Sequence, residues 1–387
     1  MRHKHLHIGF DAKRAAQNKT GLGNYSRFII RALSNYAPNL RLHLYVPNAK
    51  KTHSMNGVDK LVAVDIHFPK NRLWQSLRCL WRMRGAVSDM RERGIMLYHG
   101  LSGELPYGLH HAGIKSIVTI HDLIFLHFPK YYSFIDRLIY RWKFKSACRR
   151  ADHIIAVSEC TKRDIIHFFG TPEQKITVLY QGCDEIFRQS ISDIHKDAVR
   201  RHYHLPERYI LYVGSIEERK NLMLLAEALT ILADREISVI ALGHKTAYAK
   251  KVQSFVRKNN LSRRFRIISG VPSVDLPVFY QLSEAFVYPS RYEGFGIPLL
   301  EALCSGVPAI GCTGSCLEEA GGPSSLYVSP DDAGALAEAI TKVLTDSHLR
   351  EKMIADGYSY ANHFTEERLI LQLQNLYSLI LANSIKR

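Results

Sequence analysis

Two glutamates, Glu293 and Glu301, stand eight positions apart around Gly294-Phe-Gly-Ile-Pro-Leu-Leu. The short apolar run Ala285 to Tyr288 predicts a strand, Gly294 and Gly296 a permissive turn, and Pro298 the first residue of a helix that Gly306 closes. A strand, glycine loop and helix leave backbone N–H groups facing the loop, where donors and the helix dipole favour an anion. A carboxylate beside such a place is poorly suited to the anion. It is suited to hydroxyls next to a phosphate, as on a sugar or ribose. A second candidate lies at Arg219-Lys220, after the apolar run from Tyr209 and the turn at Gly214. Two cations at a helix start oppose the dipole by a few tenths to about 1 kcal/mol. That local penalty, with a planar fork and a point charge side by side, points to a diphosphate. A third is His121-Asp122 at the end of the strand Ser116 to Ile120, where open α/β sheets place ligands. Gly21 and Gly23 follow the first strand and let backbone approach a phosphate or substrate, although any tight turn also wants glycine.

These motifs sit on alternating strand and helix patterns in both halves, which predicts two doubly wound parallel domains. Strands are expected near His5–Phe10, Arg41–Val46, Leu61–His67, Met96–His99, Ser116–Ile120 and Lys175–Gln181 in the first half, with a further strand from Ala151 running into a Ser158-capped helix between the last two. The second half shows Tyr209–Ser215, Ile237–Leu242, Phe265–Ser269 and Ala285–Tyr288. The loop after Asp11 is read as polar coil up to Thr20 with a helix from Asn24, and the polar stretch from Arg188 to Glu207 as a hinge. The alternating His3, His5 and His7 read as one solvated strand face, since no companion metal ligands follow.

The 387 residues carry a net charge of +16, and 29 of the 52 Lys and Arg lie in residues 1–185 against 14 Asp and Glu. A basic first half suggests an anionic partner surface. Two segments concentrate it: 71–93, where Trp74, Leu77 and Trp81 alternate with arginines, and the helix after Tyr132 with Arg137, Arg141, Lys143, Lys145, Arg149 and Arg150. The first reads either as an interfacial helix or as an apolar stripe packed on the sheet with arginines outward. No apolar run reaches about 18 residues, the N-terminus lacks the apolar core of a secretory signal, and the seven cysteines form no Cys-X-X-Cys pair. A cytoplasmic chain with reduced thiols is expected.

The block from Tyr288 to Pro308 resembles the Glu-X7-Glu signature of glycosyltransferase family 4, whose members are retaining enzymes of the GT-B fold. Thr-Ile-His121-Asp-Leu is similar to that family's active-site His loop, and Arg219-Lys220-Asn-Leu to its donor-phosphate motif. The resemblance spans nearly the whole chain. It implies two Rossmann-like domains facing a cleft: residues 1–190 for the acceptor, residues 205–365 for a nucleotide sugar, and a terminal helix, 366–387, crossing back to the first domain. It further implies transfer of a hexosyl group from a nucleoside-diphosphate sugar to an acceptor hydroxyl with retention, in O-antigen or capsule biosynthesis. In that role Arg219 and Lys220 stabilise the departing diphosphate, Glu293 and His121 hold the donor sugar, and Glu301 the ribose. Gly21, Gly23, Gly214, Gly243, Gly294, Phe295, Gly296 and Ile297 are the further donor-binding candidates. Two departures are visible: Ser215 stands where some relatives carry an arginine, and Glu318-Glu319 where a Pro-Glu is common. No Asp-X-Asp is present, so no metal or other cofactor is expected beyond the nucleotide-sugar co-substrate. The implied partners are that donor, a glycan or lipid-linked acceptor, and an anionic membrane surface on the inner face of the cell membrane; nucleic acid is not among them. The rival readings are a sugar-nucleotide epimerase of the same fold, which needs no acceptor, and a non-enzymatic binder of anionic polymer or membrane, which leaves Glu293 idle.

Overall fold

The computed structural model describes residues 5–55 and 57–382. By contacts the chain divides into two units, Met1–Gln181 with Glu366–Arg387, and Gly182–Thr365. The strands of the first unit are β1 Leu6–Asp11, β2 Leu40–Tyr45, β3 Val64–His67, β4 Leu97–Gly100, β5 Lys115–Ile120, β6 His153–Ala156 and β7 Ile176–Val178. They form one parallel sheet in the order β3-β2-β1-β4-β5-β6-β7. The second unit contributes β8 Tyr209–Val213, β9 Ser238–Leu242, β10 Phe265–Ile268, β11 Ala285–Tyr288, β12 Ala309–Cys312 and β13 Leu326–Val328. Their order is β10-β9-β8-β11-β12-β13, again parallel throughout. Central strands are covered on both faces, so β9, β11 and β12 read as unbroken apolar or small-residue runs. In each sheet the order reverses once, between β1 and β4 and between β8 and β11. The loops that leave the strand ends there form the crevice in which open α/β sheets bind ligands.

The first unit carries two apolar layers, one on each face of its sheet. One holds Ile29, Ile30 and Leu33 of the helix Gly21–Tyr36 against Leu369, Leu373 and Tyr377 of the terminal helix Glu366–Ala382. The other gathers Trp81, Met90, Ala147 and Ile165. The terminal helix is pinned by a buried polar chain: Tyr377 and His99 Nδ1 are 2.8 Å apart, and His99 Nε2 and the Thr119 hydroxyl 2.8 Å apart.

Several local expectations need correction. The stretch after β1 is not coil: a short helix, Lys13–Gln17, precedes the helix that begins at Gly21 rather than Asn24. Arg27 draws the two together by donating to the carbonyls of Ala15 and Asn18, both at 2.8 Å. The polar stretch from Arg188 contains the helix Asp193–His202, started by the Ser192 cap and lying within the second unit. Pro298 is the second helical residue, behind Ile297. His5 is exposed, but His7 is only half-solvated. It stacks on His43 at 2.8 Å between ring nitrogens, and His43 on His67 at 2.9 Å, along a diagonal in which each histidine lies two residues beyond the register partner of the one before: Arg41 is opposite His7, Asp65 opposite His43 and Tyr45 opposite His67. His3 and residues 383–387 lie outside the described residues. In the segment 71–93, Trp81 is buried in the core as the packing reading expects and Arg82 is buried with it rather than turned outward, whereas Leu73, Leu77 and Leu80 are exposed.

Candidate functional site

At the reversal point of the second sheet, β8 runs into Gly214 and β11 into the loop 289–296. Gly214 and Gly243 face each other so closely that a Cβ on Gly243 would lie 1.8 Å from the Gly214 carbonyl oxygen. A Cβ on Gly214 would stand 3.3 Å from the Lys220 ammonium nitrogen. Glycine at both positions therefore lets two strand ends meet and the lysine fold back over them. The chain reaches Lys220 through a single 3-10 turn, Glu218–Lys220. Asn221 then takes a left-handed conformation (φ 55°), donates its amide to the Pro330 carbonyl at 2.8 Å and opens the helix Leu222–Ile231. The Arg291 amide donates to the Arg219 carbonyl at 2.9 Å, which ties this turn to the glutamate loop.

Glu293 is the centre of the cluster. Its Oε1 accepts from Ser290 Oγ at 2.8 Å and the Tyr288 hydroxyl at 2.9 Å and forms ion pairs with Arg219 Nη1 at 2.8 Å and Lys220 Nζ at 3.9 Å, while Arg219 Nη1 donates to the Tyr292 carbonyl. Lys220 also donates to the Tyr288 hydroxyl at 3.0 Å. Burial pushes the Glu293 carboxyl up, but the ammonium of Lys220, the guanidinium of Arg219 and the two hydroxyls outweigh it. The group is held below the ordinary carboxylate range. Arg219 also pairs with the half-exposed Glu217 at 3.8 Å, so the two cations face two carboxylates, of which only Glu293 shares their burial at 13–15% exposure.

Gly296 caps the next helix, Ile297–Cys304, at φ 111°, and a Cβ there would meet Leu317 at 2.7 Å. The side chain of Phe295 is buried against Phe364 with ring centres 5.7 Å apart, which leaves its backbone facing the loop. The Cys316 thiol reaches the carbonyls of Glu293 at 3.0 Å and Phe295 at 3.1 Å and so fixes the loop between them. Glu301 points to the Tyr280 hydroxyl at 2.8 Å, and burial drives its carboxyl up to about 7 despite that bond.

In the first unit the reversal point lies between β1 and β4. Gly21 has open space where a Cβ would be, whereas a Cβ on Gly23 would lie 1.9 Å from the Asn18 carbonyl oxygen. Gly23 is thus required by the backbone itself. His121 follows β5. Its Nε2 lies 2.8 Å from the Leu101 carbonyl, which can only accept, so Nε2 carries the proton and Nδ1 accepts from the Gln181 amide at 3.1 Å. Burial lowers its pKa to about 4, and the ring edge packs on Tyr25. Both ring nitrogens are engaged within the protein, so the imidazole is a neutral, fixed element rather than the free donor anticipated for a sugar hydroxyl. Asp122 accepts from the Ile124 amide at 3.1 Å and shapes the loop. Sequence reasoning missed a charge cluster beside these residues. Arg82, in a π-helical turn Trp81–Gly85, bridges Asp11 at 2.6 Å and Glu104, and Lys143 approaches Glu104 at 3.4 Å.

The profile described as Glycosyltransferase Family 4 matches residues 20–186, and that of Glycosyl transferases group 1 matches residues 196–360. The chain belongs to the GT-B glycosyltransferases of family 4. The O-antigen chain mannosyltransferase B of Escherichia coli is 28% identical over 383 residues, covering 93% of this chain and 96% of that protein. A glycosyltransferase from Rickettsia africae has the same fold, with a TM-score of 0.78 at 17% identity over 98% of this chain and 99% of its own. The Anabaena protein HepE, solved with UDP-glucose, aligns with a TM-score of 0.76 at 16% identity, covering 97% of this chain and 100% of its own. This glycosyltransferase has, among the described residues, no helix long and apolar enough to cross a membrane and no group of three His, Cys, Asp or Glu placed to hold a metal.

Proposed function

We propose that this glycosyltransferase moves a hexosyl group, a mannosyl group first among the candidates, from a nucleoside-diphosphate sugar to a hydroxyl of a glycan or lipid-linked acceptor. Anomeric configuration is retained, and the product serves cell-surface polysaccharide of the O-antigen or capsule kind. The reading rests on one observation above all: Glu293 held between Arg219 and Lys220 at the strand-order reversal of the second unit. In the reaction the bond from the anomeric carbon to the diphosphate breaks, the acceptor oxygen bonds to that carbon, and the acceptor's proton ends on the leaving diphosphate. Negative charge grows on the diphosphate as the bond breaks, and Lys220 and Arg219, with the donors at the start of the helix Leu222–Ile231, oppose it without rearranging. These cations supply the charge that a metal supplies elsewhere, so activity is expected to survive chelation. Glu293 accepts from donor-sugar hydroxyls and Glu301 from the ribose; Gly214, Gly243, Gly294 and Gly296 and the backbone at Phe295 and Ile297 shape the donor loops. His121, Gly21 and Gly23 serve from the first unit, His121 by fixing the loop at Leu101 rather than by direct donation. The names of relatives such as the E. coli O-antigen mannosyltransferase support the sugar and the pathway class. The basic first half supports work at the anionic inner face of the cell membrane.

The test is a panel of GDP-, UDP-, dTDP- and ADP-hexoses with a lipid-linked or soluble glycan acceptor, in chelator, followed by proton NMR of the product. Nucleoside diphosphate released only with acceptor, and an anomeric coupling unchanged from donor to product, support the reading. Isomerisation of the donor without acceptor would favour the epimerase, and no turnover of any donor would favour the binder.

A further inference from the structure

In the first unit, apolar side chains crowd onto a surface that, among the described residues, is left exposed. Nine of the eighteen exposed large hydrophobic side chains among the described residues lie in two segments, 70–84 and 130–150. The helix Phe134–Arg150 buries only Ser146, Ala147 and Cys148 near its end. Phe134 is 67% exposed, Ile135 68% and Trp142 60%, with Leu138 and Ile139 between them. Phe134, Leu138 and Trp142 recur every fourth residue, so they share one stripe, and Arg137, Arg141 and Lys145 form the row beside it. The two segments meet at a cavity of about 900 Å³ lined by Leu80, Met83, Arg84, Leu109, Trp142 and Lys143. Glu104 joins them from below, bound by Arg82 of one and Lys143 of the other. They are thus one surface.

Its charge identifies the partner. Segments 70–84 and 130–150 together carry twelve Lys and Arg against Asp136 alone. Arg72, Arg78, Arg84, Arg141, Lys145 and Arg149 are exposed on it. Pairing this face with a second copy of itself would set like charges together over apolar contacts. A wholly polar anion would leave Phe134, Ile135 and Trp142 in water. An anionic lipid bilayer satisfies both, since apolar and indole side chains enter the acyl boundary while arginine and lysine remain at the phosphates. We propose that the helix Phe134–Arg150 and the segment 70–84 form the surface by which this protein docks on an anionic bilayer, with Trp142 at its centre. This rests on the membrane-side reading above and gives it a location. The exposed tip of the surface takes no part in the glutamate cluster of the second unit.

The experiment is flotation of the full chain with phosphatidylglycerol-containing and pure phosphatidylcholine vesicles at low and high salt. It compares wild type, a Phe134→Ser, Ile135→Ser, Trp142→Ser variant and an Arg141→Glu, Lys145→Glu variant. Wild type is expected to float with the anionic vesicles and to dissociate in high salt. Each variant should lose at least about tenfold in vesicle affinity. Because the changed side chains are exposed, circular dichroism, melting temperature and nucleotide binding should be unchanged. Variants that float like wild type, wild type that ignores anionic vesicles, or equal binding to neutral vesicles would overturn the inference. So would a wild-type dimer that the serine variant converts to monomer. Transfer to a soluble acceptor is read on the same samples: its absence with vesicle binding intact contradicts the proposed reaction and leaves the docking surface standing.

Discussion

Replacing Glu293 by Gln separates charge from packing at the centre of the site. One oxygen, Oε1, takes the hydrogen bonds from Ser290 and Tyr288 and the ion pair with Arg219, and a glutamine oxygen can keep the two hydrogen bonds. What is lost is the negative charge, since the carboxyl is held below the ordinary range and is ionised at neutral pH. Removing one partner of a buried ion pair costs about 3–5 kcal/mol. The retained hydrogen bonds and the 13% exposure of both side chains reduce this to about 2–3 kcal/mol. For a unit of this size each kcal/mol is worth roughly 2–4 °C, so the second unit should melt about 5–10 °C lower. Binding should move the other way. With Glu293 neutral, Arg219 and Lys220 no longer share their charge, and an incoming diphosphate gains at least about 1.4 kcal/mol, a tenfold rise in affinity. Transfer should still fall by about 10²–10³, because the donor-sugar hydroxyls lose their charged acceptor. Thermal shift with and without nucleoside diphosphate, titration calorimetry and turnover read all three. A variant with wild-type melting temperature and unchanged or weaker diphosphate affinity would refute the reasoning.

Three other outcomes follow from the same contacts. Gly23→Ala should destabilise the first unit by more than about 3 kcal/mol in a denaturant titration, while Gly21→Ala, with free space around it, should be neutral or stabilise by up to about 1 kcal/mol; equal effects would contradict the geometry. Burial lowers His43 to about 4, His99 to about 3 and His121 to about 4, so the unfolded chain binds these protons first. Stability of the first unit is therefore complete above about pH 6.5 and declines toward pH 4, by roughly 1.4 kcal/mol per pH unit for each histidine titrating; hydrogen exchange in β1, β4 and β5 that is flat from pH 7.5 to 5 would contradict it. Glu301, raised to about 7, does the opposite: the folded form keeps a proton that the unfolded form loses, so its contribution falls as pH rises from about 4.5 through 7. A ribose diol is better accepted by the carboxylate, so nucleotide affinity should rise from pH 6 to 8 and do so less in Glu301→Gln; parallel pH profiles in calorimetry would rule this out.

The fold was legible because its signals are local. Short apolar runs mark β8, β9 and β11, the first two followed directly by glycine, and the pattern from Tyr288 to Gly306 carries its own turn and helix start. The pairing of Glu293 with Arg219 and Lys220 follows once β8 and β11 are neighbours, although they are 76 residues apart from Tyr209 to Ala285. What escaped depends on register or on side-chain reach across the sheet. The row His7, His43 and His67 runs diagonally across three parallel strands, two residues out of register at each step. The Asp11, Arg82 and Glu104 cluster needs an arginine in a π turn placed over the end of β1. The neutral, doubly bonded state of His121 is set by Leu101 and Gln181, neither of which is near it in sequence. Only the histidine's position after a strand was visible.

We propose that Arg219, Lys220 and Glu293 together hold the diphosphate of a nucleotide sugar. The most direct measurement is calorimetric binding of the GDP, UDP, dTDP and ADP series to wild type and Lys220→Ala. Lys220 lies against Gly214 with its ammonium at the reversal point, and its removal leaves the Arg219 to Glu293 pair intact. Wild type is expected to bind one series selectively, and the variant to bind that series at least about tenfold more weakly, from the loss of one charge-assisted contact of about 1.5–3 kcal/mol. Equal affinities in the two proteins, or binding of no series by wild type, would contradict it.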